Sequence, residues 1–167
     1  MAAETISLLF EQAIICETLT RDFYQGLAKK FSHDKNISEF WKNMAEDEIV
    51  HIKILRDLQD FLTPLQQSIP VEHEMFQIAL ENSKIQVSDV LNMVKNLNDA
   101  YILAQLWESS EIYWVFEFLT EKFIPSTADG RFIRLHIITH KKKLVTFLYA
   151  FGDAEVRKNI STLDKES

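Results

Sequence analysis

The stretch that decides the fold is "MAEDEIVHIKIL", from Met44 to Leu55. At helical spacing, Met44, Glu48, His51 and Leu55 lie on one face, because residues three and four positions apart share a side of a helix. The same face stays apolar in both directions, through Ile37, Trp41, Leu58 and Leu62. A stripe suited to burial therefore carries a carboxylate and an imidazole one turn apart at its centre.

The composition predicts a single all-α domain. The chain has 167 residues, of which 47% are apolar and 26% charged, an ordinary globular balance. Only three Gly and three Pro are present and β-branched residues do not alternate, so long helices and few turns are expected. The single cysteine, Cys16, excludes an intramolecular disulfide and a Cys-rich metal site, and it favours a reducing, cytoplasmic compartment.

The charge pattern excludes two classes of partner. A net charge of −7 argues against nucleic acid, since phosphate binding needs clustered Lys and Arg. The cationic cluster at 141–143 is interpreted as a solvated helix face. The N-terminal segment carries Glu4 and Glu11 without a positive region, so no secretory signal is expected. No apolar run approaches the ~18 residues of a transmembrane span, so no membrane partner is expected either.

Four long helices are predicted, over residues 3–31, 37–62, 88–123 or 98–123, and 127–151. Their apolar positions recur in alternating steps of three and four, which is typical of a packed bundle. The joins between helices 1 and 2 and between helices 3 and 4 are short, so each pair should form an antiparallel hairpin. Asn36 and Glu39 resemble a capping box at the start of helix 2.

The connection between the two hairpins is long. Residues 63–87 contain Pro64 and Pro70 and a short predicted helix over 74–82. Such a crossover can run the length of the bundle and make helices 2 and 3 parallel, which is the ferritin-like arrangement. We predict a ferritin-like four-helix bundle over residues 1–152, with Gly152 as the C′ residue of the last helix. Residues 153–167 are predicted to be a polar C-terminal tail, with partial helix as an alternative.

The two hairpins also look like copies of one unit. "AIICETLTRDFY" and "AQLWESSEIYWV" align with Ala13 on Ala104 and Glu17 on Glu108. Six ionisable side chains then occupy inward positions near the middle of the bundle: Glu17, Glu48, His51, Glu108, Glu111 and His140. Several buried carboxylates would repel one another, and a metal cation removes that cost. Carboxylate and imidazole together suit iron or manganese. A buried network of hydrogen bonds is the alternative.

The pattern Glu17, Glu48-x-x-His51, Glu108-x-x-Glu111 and His140 resembles rubrerythrin-type members of the ferritin-like superfamily over residues 3–150. The resemblance implies a carboxylate-bridged di-iron centre. It makes Glu17 and Glu108 terminal carboxylates, Glu48 a bridge, and His51 and His140 the nitrogen ligands. Glu111 matches an additional carboxylate that some rubrerythrins use.

The chain departs from that pattern in two places. Ile137 stands where the second Glu-x-x-His would have its glutamate. Glu111 or His136 could substitute for it; otherwise the site binds one metal ion, binds metal weakly, or has lost its chemistry. The paired Cys-x-x-Cys motifs of a rubredoxin domain are absent from the sequence, so the electron donor would be a separate molecule.

The resemblance predicts an oxidoreductase that reduces peroxide or dioxygen, or oxidises iron, at this centre. Two alternatives remain open: a site with a single metal ion, and a non-catalytic bundle that serves as a binding or assembly module. Trp107, Trp114 and Phe116 lie partly off the inward stripe of helix 3. They predict a second apolar face and therefore a homodimer.

Overall fold

The structure is all-α, as predicted. The computed structural model describes residues 4–108, 111–126 and 128–151, and for residues 111–113, 128–129 and 148 it describes the backbone alone. The helices are α1 (Ile6–Lys30), α2 (Lys35–Asp60), α3 (Pro64–Gln67), α4 (His73–Asn82), α5 (Val87–Met93), α6 (Leu97–Glu108), α7 (Glu111–Phe123) and α8 (Ala128–Phe151). Within the described residues no strand is present, only an isolated bridge between Thr5 and Pro70. The predicted Gly152 cap and the tail over 153–167 lie outside the described residues.

Helices α1 and α2 form the first antiparallel hairpin. The Ser38 hydroxyl donates to the Ala28 carbonyl near the turn (2.9 Å), and the Gln59 amide donates to the Ser7 carbonyl at the far end (3.3 Å). The turn is short because α2 starts early: the Asp34 carboxylate caps it and accepts from two backbone N–H groups. The cap is therefore two residues before the predicted Asn36, since an aspartate accepts these bonds as well as Asn does.

Helices α6 and α7 run parallel to α2. Trp41 packs on Tyr101, and ten residues further along α2 the His51 ring packs on Phe116. Because both numbers rise together, the two elements point the same way. This direction requires the long crossover that the sequence predicted.

Helix α8 closes the bundle in the opposite direction. Phe147 stacks on Phe40 of α2 with ring centroids 3.6 Å apart, and His140 contacts Asp47. Residue numbers on α8 fall as those on α2 rise, so these helices are antiparallel. Two hairpins joined by a crossover confirm the predicted ferritin-like arrangement.

The crossover passes over the outside of α1. Its α4 covers the predicted short helix almost residue for residue, and the Cys16 thiol of α1 donates to the Ala79 carbonyl of α4 (3.6 Å). Burial raises the pKa of that thiol to about 12, in keeping with a buried structural cysteine. Further along, Leu91 of α5 lies directly over Gly26, where a Cβ would collide with its methyl groups.

The third long helix does not begin at residue 88, so that version of the prediction is wrong. Val94 is extended between α5 and α6. The Asp99 carboxylate then accepts from the backbone N–H groups of Lys95 and Asn96, and the Asn96 side chain accepts from the Asp99 N–H. This reciprocal cap starts a new helix at Leu97, within one residue of the alternative start at 98.

The core consists of two apolar clusters with the polar residues between them. One cluster centres on Tyr24, Trp41 and Tyr101, and the other on Phe10 and Leu55, all almost fully buried. Burying each such side chain contributes about 1.5–3 kcal/mol, so the clusters hold the bundle together on both sides of the polar layer.

The predicted second apolar face on helix 3 is wrong in two of its three residues. Trp107 and Phe116 are buried in the bundle, and only Trp114 is exposed, at 46%. Both buried rings pack on side chains of the first hairpin, Trp107 on Phe23 and Phe116 on His51. The homodimer therefore stays a prediction. Among the described helices, none is both long enough and apolar enough to cross a bilayer.

Candidate metal centre

Glu48 of α2 is the centre of the polar layer. Its Oε2 lies 2.8 Å from Nδ1 of His51, one turn along the same helix, and its Oε1 lies 3.2 Å from Nε2 of His140 on α8. All three residues are at most 1% exposed. Their ligand atoms lie within 4.8 Å of one another, so one carboxylate stands between two imidazoles.

A further carboxylate lies beside each imidazole. Glu17 Oε2 of α1 is 3.3 Å from His51 Nδ1, and Glu108 Oε1 of α6 is 3.1 Å from His140 Nε2. We call Glu17 with His51 the His51 half of the centre and Glu108 with His140 the His140 half. The two halves share Glu48 and reproduce the internal repeat seen in the sequence.

Additional side chains hold the His140 half from outside. The Tyr24 hydroxyl donates to Glu108 Oε1 at 2.5 Å. Asp47 Oδ2 lies 3.1 Å from His140 Nδ1, and the Lys143 ammonium donates to both Asp47 oxygens, at 2.8 and 2.6 Å. Lys143 is one turn beyond His140 on α8, and Asp47 lies on α2. The Asp47 carboxylate, held by the His140 imidazole and the Lys143 ammonium group, therefore links α2 to α8.

The charges of the centre depend strongly on one another. Burial alone would lower the pKa of His51, but Glu48 and Glu17 outweigh burial and raise it to about 10. Burial likewise opposes the charge on His140, yet Glu108, Asp47 and Glu48 raise its pKa well above the ordinary value. Protons on the two imidazoles therefore balance the negative charge of the surrounding carboxylates, and a metal ion would have to displace a proton from an imidazole nitrogen to bind there.

Glu48 and Glu17 have pKa values that are shifted in opposite directions. Burial opposes the charge of Glu48, but His51 and His140 hold its pKa well below the usual range. Burial, followed by the negative charge of Glu48, raises the pKa of Glu17 to about 8. Near neutral pH, Glu17 and both imidazoles are therefore protonated in the metal-free centre.

One buried nitrogen in the centre lacks a hydrogen-bond partner among the described residues. His51 Nε2 faces away from the carboxylates, in a ring that packs on Phe116 and lies edge-on to His136. His136 is half-buried, and its own Nε2 is likewise without a described partner. Burial and the charge of His51 lower the pKa of His136, which keeps that imidazole neutral.

The structure brings together five of the six residues predicted from the sequence: Glu17, Glu48, His51, Glu108 and His140. The side chain of Glu111 lies outside the described residues, and the His136 ring lies edge-on to His51. Ile137 is half-buried against the apolar cluster that contains Phe10 and Leu55, so the expected second bridging carboxylate is replaced by packing.

The sequence analysis missed Asp47 and misassigned Lys143. Asp47 precedes Glu48 and projects about 100° away from it around the helix, so it fell outside the inward stripe. Lys143 was interpreted as part of a solvated cationic face, yet it pairs with Asp47, and Lys141 pairs with Glu117. The sequence did offer one signal for both residues: each is charged and directly precedes a position of the inward stripe, Asp47 before Glu48 and Lys143 before Leu144.

A cleft of about 610 Å³ lies between α2 and α8 beside the His140 half. Asp47 and Lys143 line it together with Glu46 and Lys142, and Met44, Phe40 and Phe147 add apolar wall. The Asp47–Lys143 ion pair therefore stands between His140 and the cleft.

Comparison with known families agrees with this geometry. The family model described as rubrerythrin matches residues 9–135, which is more than half of the chain. The matched range includes Glu17, Glu48, His51 and Glu108 and stops before His140. No curated protein and no solved structure gives a significant match.

Proposed function

The chain belongs to the rubrerythrin family, and we propose that it binds iron as a two-ion centre that reduces peroxide or dioxygen, or oxidises ferrous iron. One observation carries the proposal: Glu48, fully buried, turns one oxygen toward each of two imidazoles. A carboxylate in that position can bridge two ions.

The donor set fits a metal of this kind. Glu17, Glu48 and Glu108 offer hard oxygen donors, and His51 and His140 add nitrogen, a combination that suits iron or manganese. Without a cation, placing the buried carboxylates of Glu17 and Glu48 beside that of the partly buried Glu108 would be costly, and the structure offsets that cost with protons on Glu17 and the imidazoles. Manganese would be accepted by the same donors.

Iron bound here would supply one-electron redox chemistry, and the chain supplies the surroundings. Glu48 would hold both halves together, and Glu17 and Glu108 would each complete one half. The apolar clusters on both sides exclude water from the centre. Glu17 and His51 can release or take up protons as the charge of the centre changes. Electrons would come from a separate donor.

Anaerobic reconstitution tests the proposal. Metal-free protein is mixed with ferrous iron and desalted, and iron per chain is measured; we expect about two ions per chain. Glu48→Ala should abolish retention, whereas Glu46→Ala should not, because Glu46 lies on the same helix but at its exposed surface. Wild-type protein that retains no iron would refute the metal function. Loaded protein is then assayed for peroxide consumption with a chemical reductant, and Glu48→Ala should be inactive.

A second candidate is a non-catalytic bundle, and Ile137 is the observation that favours it. With an apolar side chain at the expected bridging position, Glu48, Glu108 and His140 can be satisfied by hydrogen bonds alone. Under this hypothesis ferrous iron leaves the unfolding temperature unchanged. A ligand that binds only the folded state must raise that temperature, so the same thermal scan separates the two functions.

A further inference from the structure

The two halves of the centre differ in how firmly they are held. In the His140 half, the imidazole is fixed at both nitrogens, by Asp47 on Nδ1 and by Glu48 and Glu108 around Nε2. Glu108 is fixed as well, because the buried Tyr24 hydroxyl donates to the same oxygen that faces His140.

The hydrogen bond that Asp47 accepts from His140 is itself stabilised by Lys143. Lys143 donates to both Asp47 oxygens, which leaves the carboxylate committed to its neighbours and unavailable as a ligand. Asp47 is 7% exposed, so its carboxylate is largely shielded from water, whereas the Lys143 side chain is 40% exposed. A carboxylate that accepts from one imidazole nitrogen fixes the ring orientation and presents the other nitrogen to a metal.

The His51 half has no such support within the described residues. His51 Nε2 is buried without a hydrogen-bond partner, and the ring is held by packing on Phe116 and His136. Glu17 contacts His51 at 3.3 Å, the longer of the two bonds to Nδ1. No described side chain beyond the candidate ligands hydrogen-bonds to Glu17 or His51.

Ligands that are already in place lose less conformational freedom when an ion arrives, and removing an outer partner of a metal-bound histidine typically costs ~10–100-fold in affinity. We therefore propose that the halves fill in order: the first ion binds between Glu48, Glu108 and His140, and the second binds more weakly between Glu48, Glu17 and His51. Asp47 and Lys143 act as positioning residues for the first ion. This order rests on the proposed metal function, and it adds that the His140 half binds its ion more tightly than the His51 half does.

The order is read directly by NMR of the side-chain nitrogens of the histidines, with zinc as a diamagnetic probe. One equivalent of zinc should shift the ring nitrogens of His140 before those of His51. The Nδ1 proton of His140 should remain visible in the loaded protein, because it is donated to Asp47 rather than displaced. Only the second equivalent should move the His51 signals.

Anaerobic calorimetry with ferrous iron gives the affinities. Asp47→Ala should weaken the tighter binding event ~10–100-fold, and Asp47→Asn, which keeps an acceptor, should weaken it less. Glu17→Gln should weaken only the looser event. Lys143→Met should weaken the tighter event, whereas Lys142→Met and Glu46→Ala, in the same cleft, should leave both events unchanged.

Three results would overturn the order: His51 signals that move first, a Glu17→Gln variant that weakens the tighter event, or Asp47→Ala and Lys143→Met variants that both match wild type. If only one ion binds, a site on His140 supports the order and a site on His51 overturns it. Wild-type protein that binds neither metal would refute the proposed function itself, and the order with it. Binding in the reverse sequence would refute the order alone.

Discussion

Replacing Glu48 by glutamine should destabilise the metal-free protein by about 3–5 kcal/mol, the usual cost of breaking a buried ion pair by removing one partner. Glu48 is 1% exposed and faces His51 at 2.8 Å and His140 at 3.2 Å. Both imidazoles have raised pKa values, so the substitution leaves two buried cations short of a counter-charge. The substitution breaks two ion pairs, but either imidazole can become neutral by releasing its proton. The loss of unfolding free energy should therefore stay within about 3–5 kcal/mol and not reach twice that value.

Urea unfolding at pH 7 with a chelator present measures this loss as a free energy, and thermal unfolding in the same buffer shows it as a lower unfolding temperature. A chain of 167 residues should lose about 2–4 °C in unfolding temperature per kcal/mol, or about 6–20 °C for this variant. Glu46→Gln is the matched control: Glu46 is exposed, so the change should stay within about 0.5 kcal/mol. If Glu48→Gln and Glu46→Gln unfold together, the buried pairs do not stabilise the fold, and the charge assignment of the centre is wrong.

Three other measurements follow from the structure. The metal-free protein should lose stability as pH rises from about 6.5 to about 10, because across that window folded His51 keeps a proton that the unfolded chain releases; unfolding midpoints along a pH series measure this. Tyr24→Phe should cost about 1–3 kcal/mol in urea unfolding, since the partly buried Glu108 carboxylate loses its hydroxyl donor. Gly26→Val should cost about 1–3 kcal/mol in the same assay, because the new side chain collides with Leu91 of the crossover.

Each of these has a result that would contradict it. Stability that rises between pH 6.5 and pH 10 would mean that His51 is neutral in the folded protein. A Tyr24→Phe variant as stable as wild type would remove the argument that Glu108 is held from outside. Gln25→Val places the same side chain at an exposed neighbouring helix position, without the collision. Because valine is a better helix former than glycine, a Gly26→Val variant no less stable than Gln25→Val would show that the crossover does not pack there.

Most of the fold could be predicted because helical periodicity decides it. Alternating steps of three and four fixed the inward faces, and the single long connection fixed the parallel direction of the second and third long helices. The start of the third helix was harder, since it depends on a cap formed between Asn96 and Asp99 rather than on the apolar pattern. Single polar pairs of this kind carry little signal in a sequence.

Residues of the centre that lie on the inward stripes could be predicted from the sequence. Residues that lie beside those stripes could not. Glu17, Glu48, His51, Glu108 and His140 interrupt apolar faces, so each is conspicuous. Asp47 and Lys143 are on helix flanks, where charged residues are usually solvated. Their role depends on α2 and α8 meeting at that height, and this follows only from the assembled bundle.

The candidate ligands are spread widely along the chain. A fragment that ends with α2 contains Glu17, Glu48 and His51 but neither Glu108 nor His140. The second hairpin contains the remaining two and lacks the carboxylate that both halves share. Neither hairpin therefore contains the whole donor set, and under the proposed function metal uptake during refolding would report the moment when the two hairpins dock.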